Sequence, residues 1–138
     1  MKVMVFVKAS EESEAGVMPS RELLTEMGKY NEALVNAGVL VDGDGLRSSS
    51  HGVRVRYEGK QRSTVDGPFA ESKELVAGYW VWKVDSMEQA IEWAKKAPFE
   101  GGEVEIRPFF EPEDFDEAFT PALREAEERL RKRTEENA

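Results

Sequence analysis

The sequence predicts an α+β sandwich. Strand-like apolar segments alternate with two segments of helical period, the pattern of a sheet covered by helices. Residues 2–8 and 75–84 are apolar on both faces, whereas residues 52–57 and 103–107 are apolar on one. Cysteine is absent from the 138 residues, so the fold rests on a hydrophobic core without disulfide staples.

The elements follow in chain order. Val3, Val5 and Val7 share one face of the first strand, and Met4 and Phe6 share the other. Residues 10–19 read as an acidic loop. Ser20 then caps a helix with Glu22 in its first turn, where a carboxylate suits the dipole. Leu23, Met27, Tyr30, Leu34 and Ala37 form its apolar stripe, and Gly38 stops it. Gly28 inside that helix suggests a close packing contact. Asp42-Gly43-Asp44 reads as turn chemistry. Residues 52–57 alternate as an edge strand, with a hairpin tip at Glu58-Gly59-Lys60 and a return along residues 61–65. The second doubly apolar strand follows. Ser86 and Gln89 fit a capping box for a helix buried through Met87, Ala90, Ile91, Ala94 and Ala97, ended by Pro98. Val104 and Ile106 point inward from a last strand. Thr120-Pro121 opens a charged helix expected to dock through Leu123, Ala126 and Leu130.

This order is the split βαβ plan of a ferredoxin-like sandwich, with an inserted hairpin and a C-terminal helix. Helices cover one sheet face only. The other apolar face is expected to meet a second copy, making a homodimer. The division expected is residues 1–110 as the domain and 111–138 as an acidic helical extension.

Composition bounds the function. A net charge of −9, from 19 basic and 28 acidic residues, argues against nucleic acid or anionic membrane as a partner. No apolar run approaches the ~20 residues of a membrane span. The N-terminus lacks the apolar length of a signal peptide, which leads to an expected cytoplasmic location. One histidine and no cysteine leave no recognisable metal site or cofactor motif.

Candidate chemistry gathers in two places. Asp66-Gly67-Pro68-Phe69 stops a strand at a sharp turn and sets a carboxylate at its end, with Glu71 and Lys73 close behind. His51, in a serine-rich turn, carries an imidazole, the side chain that suits acid–base work near neutral pH. Residues 46–63 hold five cations, including Arg54 and Arg56, against Glu58 alone, a local reversal of charge able to attract an anion. The same residues also fit an Asx turn, a solvated histidine and a charged hairpin edge. Tyr79, Trp80 and Trp82 fit either an aromatic pocket or ordinary core.

The run DGPFAESKE (residues 66–74), with Gly78-Tyr79 and DSMEQAIEWA (residues 85–94), closely resembles the DGPF branch of the YCII-related family, in which the run reads DGPFAETKE. The resemblance covers about residues 1–110. It implies a dimeric ferredoxin-like fold with a cleft near the subunit contact, and function only weakly. Some relatives are dehydrochlorinase-type enzymes of aromatic breakdown, and others accompany extracytoplasmic-function sigma factors. The early histidine of shorter members has no counterpart before His51.

Two functions therefore stand side by side. One is a metal-free enzyme acting on a small anionic molecule. In it Asp66, His51 and Glu71 handle protons, while Arg54, Lys73, Gly67, Pro68 and Phe69 bind the ligand. The other is a non-catalytic ligand-binding or regulatory partner of a sigma factor.

Overall fold

A computed structural model describes residues 1–70, 74–115 and 117–137. Two compact units are described in turn, Met1–Pro108 and Phe109–Ala138.

The first unit is built on a four-stranded antiparallel sheet. Its strands are β1 (Lys2–Lys8), β2 (Leu40–Gly45), β5 (Val76–Lys83) and β6 (Val104–Pro108), in the order β2-β5-β1-β6. The doubly apolar strands β1 and β5 are central, with Val3 opposite Trp82 and Val5 opposite Trp80. Between β1 and β2 lie the short α1 (Glu11–Glu14) and the long α2 (Arg21–Asn36); α3 (Met87–Lys95) joins β5 to β6. Ser20 caps α2 through the Leu23 amide, at 3.1 Å. Gly38, at φ 71°, turns the chain so that the Val39 amide reaches the Leu34 carbonyl at 2.9 Å.

The core lies between sheet and helices: Val3, Val5, Trp80 and Trp82 meet Tyr30, Leu34 and Ala90. The Tyr30 hydroxyl donates to the Trp93 carbonyl at 2.5 Å and ties α2 to α3. Burial pushes that phenol's pKa up, because the charged form would lose its water. On the opposite sheet face, Met4 and Phe6 are half-buried.

Three expectations need correction. The sheet edge beside β5 is Leu40–Gly45, the segment read as a turn, and not residues 52–57. Asp42 and Asp44 accept from the Gly43 and Gly45 amides at 2.8 and 3.1 Å along this strand. Gly43 is needed because a Cβ there would stand 2.7 Å from Trp80 Cδ1. Pairing with β5 thus outweighs local turn preference. Residues 52–57 belong instead to a separate hairpin of β3 (Val53–Glu58) and β4 (Gln61–Asp66), which leaves Val53, Val55 and Tyr57 57%, 47% and 70% exposed. Gly28 makes no close contact, since a Cβ there would meet nothing within 4 Å.

In the second unit, Thr120 caps α4 (Pro121–Glu136) through the Leu123 amide, and Glu127 pairs with Arg131 at 3.2 Å. Phe110, Phe115 and Phe119 stack in series, with Arg124 over Phe119. Among the described residues, no helix is long and apolar enough to cross a membrane.

Candidate functional site

The Asp66–Phe69 loop is built against the 3-10 turn Ser49–His51. Strand β4 ends with Asp66 opposite Val53, and the Gly67 amide donates to the Gly52 carbonyl at 3.0 Å. The Gly67–Pro68 peptide is cis. Position 67 admits no side chain, since a Cβ would overlap the Ser49 carbonyl oxygen. The Phe69 amide then donates to Ser49 Oγ at 3.0 Å.

Ser49 continues the connection to α1. Its hydroxyl donates to Glu14 Oε1, and its amide donates to Glu14 Oε2 at 2.8 Å. These two bonds, the hydroxyl's first, hold the Glu14 carboxyl below the usual carboxylate range by favouring its charged form. On the other side, the Arg54 guanidinium lies 3.7 Å over the Phe69 ring, a cation–π contact.

The backbone therefore gathers His51, Arg54, Asp66, Gly67, Pro68 and Phe69 at the base of the hairpin. Asp66, His51, Arg54 and Pro68 are exposed, whereas Gly67 and Phe69 are half-buried. No side-chain hydrogen bond or ion pair joins Asp66 to His51 among the described residues. Glu71 and Lys73 lie outside the described residues. Glu14 and Ser49, which hold the loop in place, carry no signal in the sequence: 35 positions separate them.

A larger concavity lies elsewhere. Two hollows, of about 700 and 490 Å³, open between α2 and one end of the sheet, and share Val7, Pro19, Leu23, Ala77 and Phe99. Stripe residues Leu23 and Met27 form part of the α2 wall, and the smaller hollow reaches Tyr79 and Trp80. Glu12 and Ser13 of α1 line the larger one. The anchored Glu14 therefore ties this wall to the Asp66–Phe69 loop. Among the described residues, none of Asp66, His51 and Arg54 lines either hollow, and no acid or histidine cluster is arranged to hold a metal ion.

Fold and site together define a small α+β domain with a ligand-sized cleft beside its antiparallel sheet. The chain belongs to the YCII-related domain family, whose model matches residues 1–113. It is 30% identical over 102 residues to the uncharacterized protein R00369 of Rhizobium meliloti (strain 1021), covering 72% of this chain and 77% of that protein. Among solved structures it is similar to 5-chloro-2-hydroxyhydroquinone dehydrochlorinase from Burkholderia phenoliruptrix AC1100, in complex with 2,5-dihydroxybenzoquinone. That likeness has a TM-score of 0.47 at 12% identity, over 84% of this chain and 100% of that one.

Proposed function

We propose that the protein binds a small organic molecule in the cleft between α2 and the sheet, within a ferredoxin-like homodimer. The observation that carries this reading is the cleft itself: two apolar-walled hollows that share five residues, a size and lining suited to a small ligand. The Asp66–Phe69 loop acts on it indirectly, by holding Ser49 and through it Glu14 and the α1 wall. A proton-transfer role for Asp66 would require a ligand at the hairpin base, a separate place with separate variants. No observation favours a sigma-factor partner.

Ligand-observed NMR with a small-fragment set tests the placement. Ala77→Phe on β5 and Leu23→Trp on α2 fill the cleft from opposite walls and are expected to abolish binding. Asp66→Asn is expected to leave it unchanged. Fragments that bind both cleft variants like the parent, but fail with Asp66→Asn, would move the site to the hairpin base.

A further inference from the structure

We infer that the cleft selects an organic cation, an amine or quaternary ammonium carried on a hydrophobic body. This rests on the cleft being the ligand site and goes on to its chemical class.

The first ground is the smaller hollow's aromatic lining. Trp80 and Phe99 face it, with their rings 6.2 Å apart at 47°. An alkylammonium seated against such rings meets their negative faces while its hydrocarbon part meets Val7, Leu24 and Met27. Trp80 is held in place at its polar end, where Nε1 donates to Asn31 Oδ1 at 2.9 Å.

The second ground is the distribution of charge. Glu12, Glu22, Glu26, Glu100 and Glu103 line the larger hollow. Lys8 is the one cation among the described lining residues. Its ammonium already lies 3.4 Å from Glu105 and 3.9 Å from Glu74, which offsets its charge. Glu26 also meets Lys29, at 3.3 Å. None of Arg47, Arg54, Arg56, Lys60 and Arg62 lines either hollow, and Arg54 and Arg62 stack on Phe69 and Tyr57. Each rim carboxylate is exposed and individually weak, but a concave, apolar-walled site focuses their summed field. A carboxylate or phenolate ligand would be repelled here. The anionic molecule expected from the sequence suits the hairpin cations and not the cleft.

Three probes with one hydrophobic body separate the alternatives: 4-phenylbutylamine, 4-phenylbutanol and 4-phenylbutyrate, titrated calorimetrically at neutral pH. The amine is expected to bind about tenfold more tightly than the alcohol, and the acid more weakly than both. At about 1 M salt, where the Debye length falls to about 3 Å, the amine's advantage should shrink to about twofold. Glu22→Gln with Glu26→Gln should reduce it similarly while leaving the alcohol's affinity unchanged. Ala77→Phe, or Leu23→Trp should that variant not fold, should weaken all three probes. Acid binding as tight as the amine's, and lost in the cleft-filling variants, would overturn the cation inference and leave the cleft reading standing. Absence of binding by every probe, or binding indifferent to the cleft-filling variants, would overturn both.

Discussion

The carbonyl oxygen of Ser49 occupies the space that a side chain at Gly67 would need: an ideal Cβ there would lie 1.7 Å from it. The obstacle is backbone, so no rotamer change relieves it, and the loop must move to accept alanine. Gly67→Ala is therefore expected to loosen the hairpin base, because the Gly67 amide bond to Gly52 and the Phe69 amide bond to Ser49 depend on this approach. Since, among the described residues, β3 and β4 pair with each other and not with the main sheet, that sheet should be spared. Hydrogen exchange should show lost protection at the Gly67 and Phe69 amides. The melting temperature should fall by less than about 4 °C, the shift for ~1 kcal/mol in a domain of this size. A loss as large as that of Trp82→Ala, which removes a fully buried ring at a cost of about 3–5 kcal/mol, would place the hairpin within the main cooperative unit.

The Glu14–Ser49 contact predicts a dependence on acid. The folded-state pKa of Glu14 lies below its ordinary value of 4.5, so the contact favours the charged carboxylate. Its contribution is present above that ordinary value and is lost as pH falls through the depressed one. An NMR titration should show the Ser49 amide resonance moving with a midpoint below 4.5. Glu14→Gln should remove that transition, and Ser49→Ala should return the Glu14 midpoint towards the ordinary value. A midpoint at or above the ordinary value in the parent protein would contradict the contact.

These two residues also show where sequence reasoning stops. β1, α2, β5 and α3 are legible because burial imposes a period: Val3 and Val5 recur every second residue, and Met27, Tyr30 and Leu34 every three or four. β2 is not legible, because Asp42-Gly43-Asp44 has the composition of a turn and is held extended by β5 and the Trp80 ring. The hairpin is readable as a hairpin, yet alternation reports that one face is apolar and not what covers it. Val53, Val55 and Tyr57 are accordingly misplaced in the main sheet. Glu14 meets Ser49 only through tertiary folding, between two short polar segments without any period. The cleft is hidden for the opposite reason: Leu23, Met27 and Trp80 have the spacing of ordinary core, and nothing local marks them as lining a hollow. Trp82, weighed beside Trp80 as pocket or core, is fully buried in the core.

The exposed hairpin supports a prediction about assembly. A two-stranded ribbon alone is marginal in water, and this one presents Val53, Val55 and Tyr57 to solvent with β3 and β4 as its own edges. A second copy is expected to cover this surface in addition to, or in place of, the half-buried Met4 and Phe6 on the open sheet face. Light scattering at micromolar concentration should give about twice the chain mass of 15.6 kDa. Val55→Asp with Tyr57→Asp should shift the protein towards monomer with an unchanged circular dichroism spectrum. A monomeric parent would refute the assembly. A double variant that stays dimeric would move the contact to Met4 and Phe6.

Tyr30 offers a test of the helix layer with an opposite pH sign. Its hydroxyl is the polar link between α2 and the last turn of α3, and its ring sits 7% exposed with edges towards Trp80 and Trp93. Tyr30→Phe keeps the ring packing and leaves the Trp93 carbonyl without this donor, so a loss of about 1 kcal/mol is expected near neutral pH. The folded-state pKa is raised, so the stabilisation is complete below the unfolded phenol's value of about 10. It declines as pH rises beyond that, because the unfolded chain can ionise Tyr30 and the folded chain resists doing so. Urea denaturation of parent and variant at about pH 8 and about pH 11 isolates this residue, since every other titrating group is common to both proteins. The parent's advantage at the lower pH should diminish at the higher one. An advantage that is constant or grows with pH would show that Tyr30 ionises at least as easily folded as unfolded, which is incompatible with a buried donor to Trp93.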